Sequence, residues 1–162
     1  MAFIVTSGNT VSFAEYQDVL DRDQRLFDAN EGINDENVIE PLLIRATERI
    51  LSKVRSTDWW ISHFENAGLA VPDVNANNVL AKQSDFTDLC VYVGLSEYIL
   101  PMIADFGTED NAEYRKMGYY KQRVDELFSE LIKAGDWYDF DGDGIISSSE
   151  VKEGIITLKR VR

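Results

Sequence analysis

Three aspartates stand two residues apart at Asp139, Asp141 and Asp143, and a glutamate follows at Glu150. Between them lie Gly142, Gly144 and the serines Ser147, Ser148 and Ser149. Short carboxylates at alternate positions can fold inward on one point. What they would hold there is a hard cation, because every donor is an oxygen. Gly144 lies where such a chain must turn sharply and where a Cβ would be strained. Ile145 can offer its backbone carbonyl, which leaves its side chain free to be apolar. Ser147 can coordinate directly or through water, and Glu150 has the longer arm that bidentate ligation needs.

Residues 139–150 fit the twelve-residue calcium loop of an EF-hand. The expected ligands for Ca2+ are therefore Asp139, Asp141, Asp143, Ile145, Ser147 and Glu150. The flanks fit less well. Gly135 stands where the entering helix of an EF-hand has a bulky apolar residue, so that helix is expected to break there, with Trp137 and Tyr138 packing instead. A short exit helix is expected, with Val151, Ile155, Ile156 and Leu158 apolar and Lys159-Arg160 at the end where its dipole favours cations. The stretch Ile145-Ile146-Ser147 has no second loop in the chain with which to pair. A structural calcium that orders the C-terminal segment is expected in preference to a sensor that opens on binding.

The elements that position this loop are read from the rest of the 162 residues. An apolar content of 44 % with 11 % aromatics is globular, not that of a disordered acidic tail. Two units are expected: a helical domain over 1–135 and a C-terminal EF-hand segment over 136–162. The net charge of −13 argues against a nucleic-acid-binding surface, which needs clustered Lys and Arg. The charge is uneven. Residues 1–40 hold nine acids and two bases, 41–58 four bases and two acids, 61–112 eight acids and one base, and 151–162 four bases and one acid. Such blocks would suit head-to-tail contacts between copies, or ordinary solvated faces. With Cys90 as the single cysteine there is no intramolecular disulfide to form, and its apolar surroundings predict a buried, inert thiol. Neither a signal peptide nor a membrane-length apolar run is seen, so a soluble protein made in a cytosol is expected.

Residues Phe3-Ile4-Val5 predict a short extended arm, broken by Ser7-Gly8-Asn9. Ser12 and Glu15 have the spacing of a capping box, opening a helix that carries Phe13, Tyr16, Leu20 and Phe27. The stripe Val38, Leu42, Ala46, Ile50 and Val54, widened by Ile39, Leu43 and Leu51, predicts a second helix, with Pro41 at its start or kinking its first turn. Ser56 or Thr57 can cap a third, carrying Trp59, Trp60, Ile61 and Phe64 and stopped by Gly68. A loop with one helical turn should follow over 69–82. Ser84 or Asp85 then caps an apolar helix interrupted at Gly94 and Pro101, and Thr108-Glu109-Asp110 opens the longest helix, with Met117, Tyr120, Val124, Leu127 and Leu131. These two make an αα-hairpin, and the fold class is all-α, a helical bundle.

No Gly-rich phosphate loop, Ser-His-Asp set, zinc-protease helix or paired-cysteine motif is present, so binding or structure is expected rather than an enzyme. His63, the single histidine, has no His or Cys nearby and reads as structural.

The opening Met1-Ala2-Phe3-Ile4-Val5 with Gly8, followed by Ser12-Phe13-Ala14-Glu15-Tyr16, resembles the start of the head-tail adaptor (head-completion) proteins of tailed bacteriophages. Leu42-Leu43-Ile44-Arg45-Ala46-Thr47-Glu48-Arg49-Ile50 is similar to the helix that follows in that family. The resemblance covers roughly residues 1–65, and an EF-hand is not a general feature of the family. It implies a virion protein of the neck, assembled as a twelve-fold ring beneath the portal protein, meeting a tail-side connector and continuing the DNA channel without reading DNA sequence. An acidic lumen would let DNA slide. The alternative is a monomeric calcium-binding EF-hand protein that binds a partner helix.

Overall fold

The computed structural model describes residues 3–105, 107 and 111–151. It is mostly helical, but it is not purely α. The extended arm is one strand of a small antiparallel hairpin, β1 (Ile4–Thr6) with β2 (Asn9–Ser12). The turn between them needs two left-handed residues, and Ser7 (φ 54°) and Gly8 (φ 81°) supply them. This handedness matches the twist of the strands it joins.

The capping box at Ser12 does not form. Ser12 ends β2, and its hydroxyl donates to the carbonyl of Ala14 at 2.8 Å. The helix begins instead after Glu15, whose amide donates to the Asp18 carboxylate at 2.8 Å. The expected single helix is two, α1 (Tyr16–Arg22) and α2 (Gln24–Ala29), because Asp23 leaves helical geometry and caps the second by accepting from the Leu26 amide. Asp23 also accepts from Lys116 Nζ at 2.6 Å and from the Tyr120 hydroxyl at 3.2 Å. A break without proline or glycine is thus held by partners far along the chain.

Helix α3 (Glu36–Arg55) starts earlier than expected, capped by Asp35, whose carboxylate accepts from the Asn37 amide at 2.9 Å. Pro41 therefore lies in the second turn, on the exposed face. The buried stripe is Ile39, Leu43, Ala46, Thr47, Ile50 and Val54, one position round the helix from the centre of the predicted one. Thr57 caps α4 (Asp58–Asn66). The stretch over 69–82 is a loop with one 3-10 turn, Ala76–Asn78, as expected. Helix α5 (Gln83–Val93) begins at Lys82 in left-handed geometry, not at a Ser84 or Asp85 cap. It does not break at Gly94 but widens into a π turn (Gly94–Ile99) and then a 3-10 turn (Leu100–Met102). A Cβ at Gly94 would meet Leu43 at 3.1 Å, so glycine lets this segment press close on α3. Pro101 brings no amide to the helical ladder, which is reason enough for the register to change ahead of it. Helix α6 (Ala112–Ala134), capped by Asn111, packs along α5 and the π turn. The predicted start Thr108-Glu109-Asp110 lies outside the described residues.

The core is joined across these elements by Phe13, which is fully buried. Its amide donates to Thr47 Oγ1 of α3 at 3.0 Å, and its carbonyl accepts from Thr87 Oγ1 of α5 at 2.7 Å. Cys90 is buried beside them, its sulfur 3.3 Å from Thr47 Oγ1. Burial pushes its thiol up to about 11, against the pull of Thr47. Among the described residues no helix is long and apolar enough to cross a membrane.

Two outcomes follow from this junction. Thr47→Val keeps the shape but leaves the Phe13 amide without its acceptor, and should cost about 1–3 kcal/mol in chemical denaturation. Because the Cys90 thiol is harder to ionise folded than unfolded, its contribution is complete below the ordinary thiol value and is lost as pH rises toward about 11. Denaturation midpoints should fall over that interval more steeply for the natural chain than for Cys90→Ala.

Candidate metal centre

The loop is entered without a helix. Helix α6 stops because Gly135 adopts left-handed geometry (φ 57°), with its amide donating to the Leu131 carbonyl at 3.0 Å. The chain then turns inward. Trp137 is fully buried, and its indole Nε1–H donates to the same Leu131 carbonyl at 2.8 Å. Tyr138 forms an isolated antiparallel bridge with Val79, and the Leu80 amide donates to the Trp137 carbonyl at 3.0 Å. The Tyr138 hydroxyl accepts from the Asn75 amide at 3.1 Å. Last in this series, the Asp139 amide donates to the Asn78 carbonyl at 2.9 Å. The first candidate ligand is therefore placed by the 3-10 turn at Ala76–Asn78, a partner that sequence spacing did not reveal.

From there the carboxylates organise the loop backbone. Asp139 is 2 % exposed and accepts from the amides of Gly142 at 2.7 Å and Gly144 at 2.8 Å. Asp141 accepts from the Asp143 amide at 3.1 Å, and Asp143 from the Ile145 amide at 2.8 Å. Gly142 (φ 75°) and Gly144 (φ 87°) take the left-handed turns that this wrapping needs. As a result one carboxylate oxygen from each of Asp139, Asp141 and Asp143 lies within 4.8 Å of the others. Three like charges held this close repel one another, and all three present hard oxygen. The cluster could hold a metal, and its donor set fits one of the calcium or magnesium class.

The remaining predicted ligands are placed differently. The Glu150 carboxylate closes the far end of the loop. One oxygen accepts from the amides of Phe140 at 2.6 Å and Asp141 at 3.1 Å. The other accepts from the Ser147 amide at 2.7 Å and its hydroxyl at 2.9 Å. The Ser147 amide above all, then its hydroxyl and the other two amides, holds this carboxyl at about 2. Ser147 thus serves Glu150, and its hydroxyl also lies 2.8 Å from that of Ser149. The Ile145 side chain is 68 % exposed, which leaves the backbone as its only route to the centre. The expected exit helix beyond Val151 lies outside the described residues.

An aromatic floor supports the loop. Phe140 packs its ring against Trp59 and Trp60 of α4, each 5.5 Å away between centroids, and stacks on His63 at 3.8 Å and 22°. Tyr138 stands 4.9 Å from Phe140 and from Trp60, edge-on to both. Loss of water around the stacked imidazole lowers the His63 value, while the Glu150 carboxylate pulls it upward. His63, read from the sequence as structural, lies beside the loop, a location that reading did not include. The signal was present in the sequence as Trp59, Trp60, His63 and Phe64, whose spacing puts aromatic rings on neighbouring faces of one helix. No family model, curated protein or solved structure matches the chain.

Proposed function

We propose that the chain is a structural, non-catalytic protein in which a Ca2+ ion at Asp139–Glu150 staples the segment after α6 to the helical body. The observation that carries this reading is the convergence of Asp139, Asp141 and Asp143 within 4.8 Å in an aromatic-backed loop. Asp139, Asp141 and Asp143 would supply carboxylate oxygens, Ile145 its carbonyl, Ser147 a hydroxyl or a water, and Glu150 its two oxygens. The ion would cancel the mutual repulsion of the cluster. The resulting EF-hand is single and lacks an entering helix, which favours a staple over a sensor.

The setting we propose for this staple is the neck of a tailed-phage virion, as a head-tail adaptor ring between the portal protein and a tail-side connector. The two stretches on which that resemblance rests are in contact, since the Phe13 amide bonds the Thr47 hydroxyl across 34 residues. Their pairing gives the Arg45-Ala46-Thr47 run a physical reason to accompany Ser12-Phe13-Ala14. In such a ring the acidic first forty residues and the basic run on α3 would be available to neighbouring copies, and DNA would pass through unread. One observation favours the alternative monomer that binds a partner helix. An open groove lined by Ser96, Glu97, Tyr114, Met117, Gly118 and Lys121 lies between the π turn and α6. Laying an amphipathic helix into a groove is the recognition mode such a monomer would use.

Calorimetry tests the metal. The natural chain should bind Ca2+, and Asp139→Ala and Glu150→Ala should each abolish the heat. Undiminished uptake in both would sink the ligand assignment. Native mass measurement tests the setting. Rings, or complexes with added portal protein, are expected, whereas a lone monomer that takes up amphipathic peptides would favour the groove-binding alternative.

A further inference from the structure

We infer that Phe140 is a mechanical relay, through which loading of the loop repacks the tryptophans of α4. The inference rests on the calcium reading above and deepens it. Phe140 is the one loop residue whose ring meets α4 along its length: Trp59, Trp60, His63 and Phe64 all stand within 6.0 Å between centroids. Its amide, in turn, is held by the Glu150 carboxylate at 2.6 Å, the shorter of the two bonds to that oxygen. Backbone and ring of this residue therefore belong to different systems, one set by Glu150 and the other by α4.

Both Glu150 oxygens are already engaged, by three amides and a hydroxyl. A bidentate Glu150 has to turn its lone pairs toward the aspartate cluster and share or release those donors. The Phe140 amide is the donor tied to the aromatic floor. When its acceptor shifts, the peptide reorients and the ring must slide across His63 and the two tryptophans. Closely packed rings change arrangement in discrete steps, not by continuous give. By linkage, any change that loosens Phe140 from α4 must alter Ca2+ affinity by the factor that loading alters the packing.

The test pairs tryptophan emission with calorimetry on the full chain, titrated with CaCl2. Trp59, Trp60 and Trp137 all lie in or against this cluster, so the natural chain should change its emission along the same curve as the heat of binding. Phe140→Leu should still bind while losing most of the emission change. His63→Ala, which changes no residue of the loop itself and guards against a folding failure in the first variant, should weaken the change and shift affinity by about five-fold or more. Heat of binding with no emission change in the natural chain would overturn the relay and leave the calcium site standing. An emission change retained in full by both variants would also overturn it. No heat of binding at all would remove the calcium reading itself, and the relay with it.

Discussion

The structure depends on how the backbone of one buried residue is satisfied. Phe13 lies on an irregular segment between β2 and α1, where no regular ladder can serve its amide and carbonyl, yet its ring is fully buried. Unpaired, each group would cost about 1–3 kcal/mol. Thr47 on α3 and Thr87 on α5 meet them. Those two helices thereby acquire a fixed separation and register, and Thr47 remains tied to its own helix by donating to the Leu43 carbonyl. Polar contacts here specify what apolar packing alone would leave adjustable.

From Phe13 the packing runs through rings. Phe3 lies 4.9 Å from Phe13, Phe13 lies 5.2 Å from Phe86, and Phe86 lies 4.7 Å from Trp137. Trp137 is 5.0 Å from Trp59, which touches Phe140. The terminal hairpin and the acidic loop, at opposite ends of the sequence, are thus members of one aromatic array. Trp137 and Tyr138 are part of the core of the helical body.

What was legible in the sequence divides along physical lines. The turns of the acidic loop were readable because Gly142 and Gly144 are the residues that take left-handed geometry without strain, and the alternate spacing of Asp139, Asp141 and Asp143 lets their carboxylates converge. The long helices were readable from apolar periodicity, and the stop at Gly135 from the one residue type that turns left-handed without strain. The failures share a cause in tertiary partners. Ser12 had the right spacing for a helix cap, but its hydroxyl is consumed by Ala14 within the buried junction. Asp23 ends a helix because Lys116 and Tyr120, far along the chain, repay its departure from helical geometry. The hairpin was missed because its turn places Ser7 at positive φ, which no residue preference announces. The seat of Asp139 on the Asn78 carbonyl was invisible for the same reason, being a contact between two irregular segments.

The bridge between Val79 and Tyr138 has a consequence for the order of events in folding. It clasps together points separated by 59 residues (138 − 79), with α5 and α6 enclosed in the span. Closing so long a loop in a disordered chain costs entropy that a single bridge cannot repay. Once α5 and α6 have paired, their ends are already near one another and the clasp closes at little further cost. The acidic loop, whose first residue hangs from this clasp, is therefore expected to take shape after the two helices that the clasp encloses.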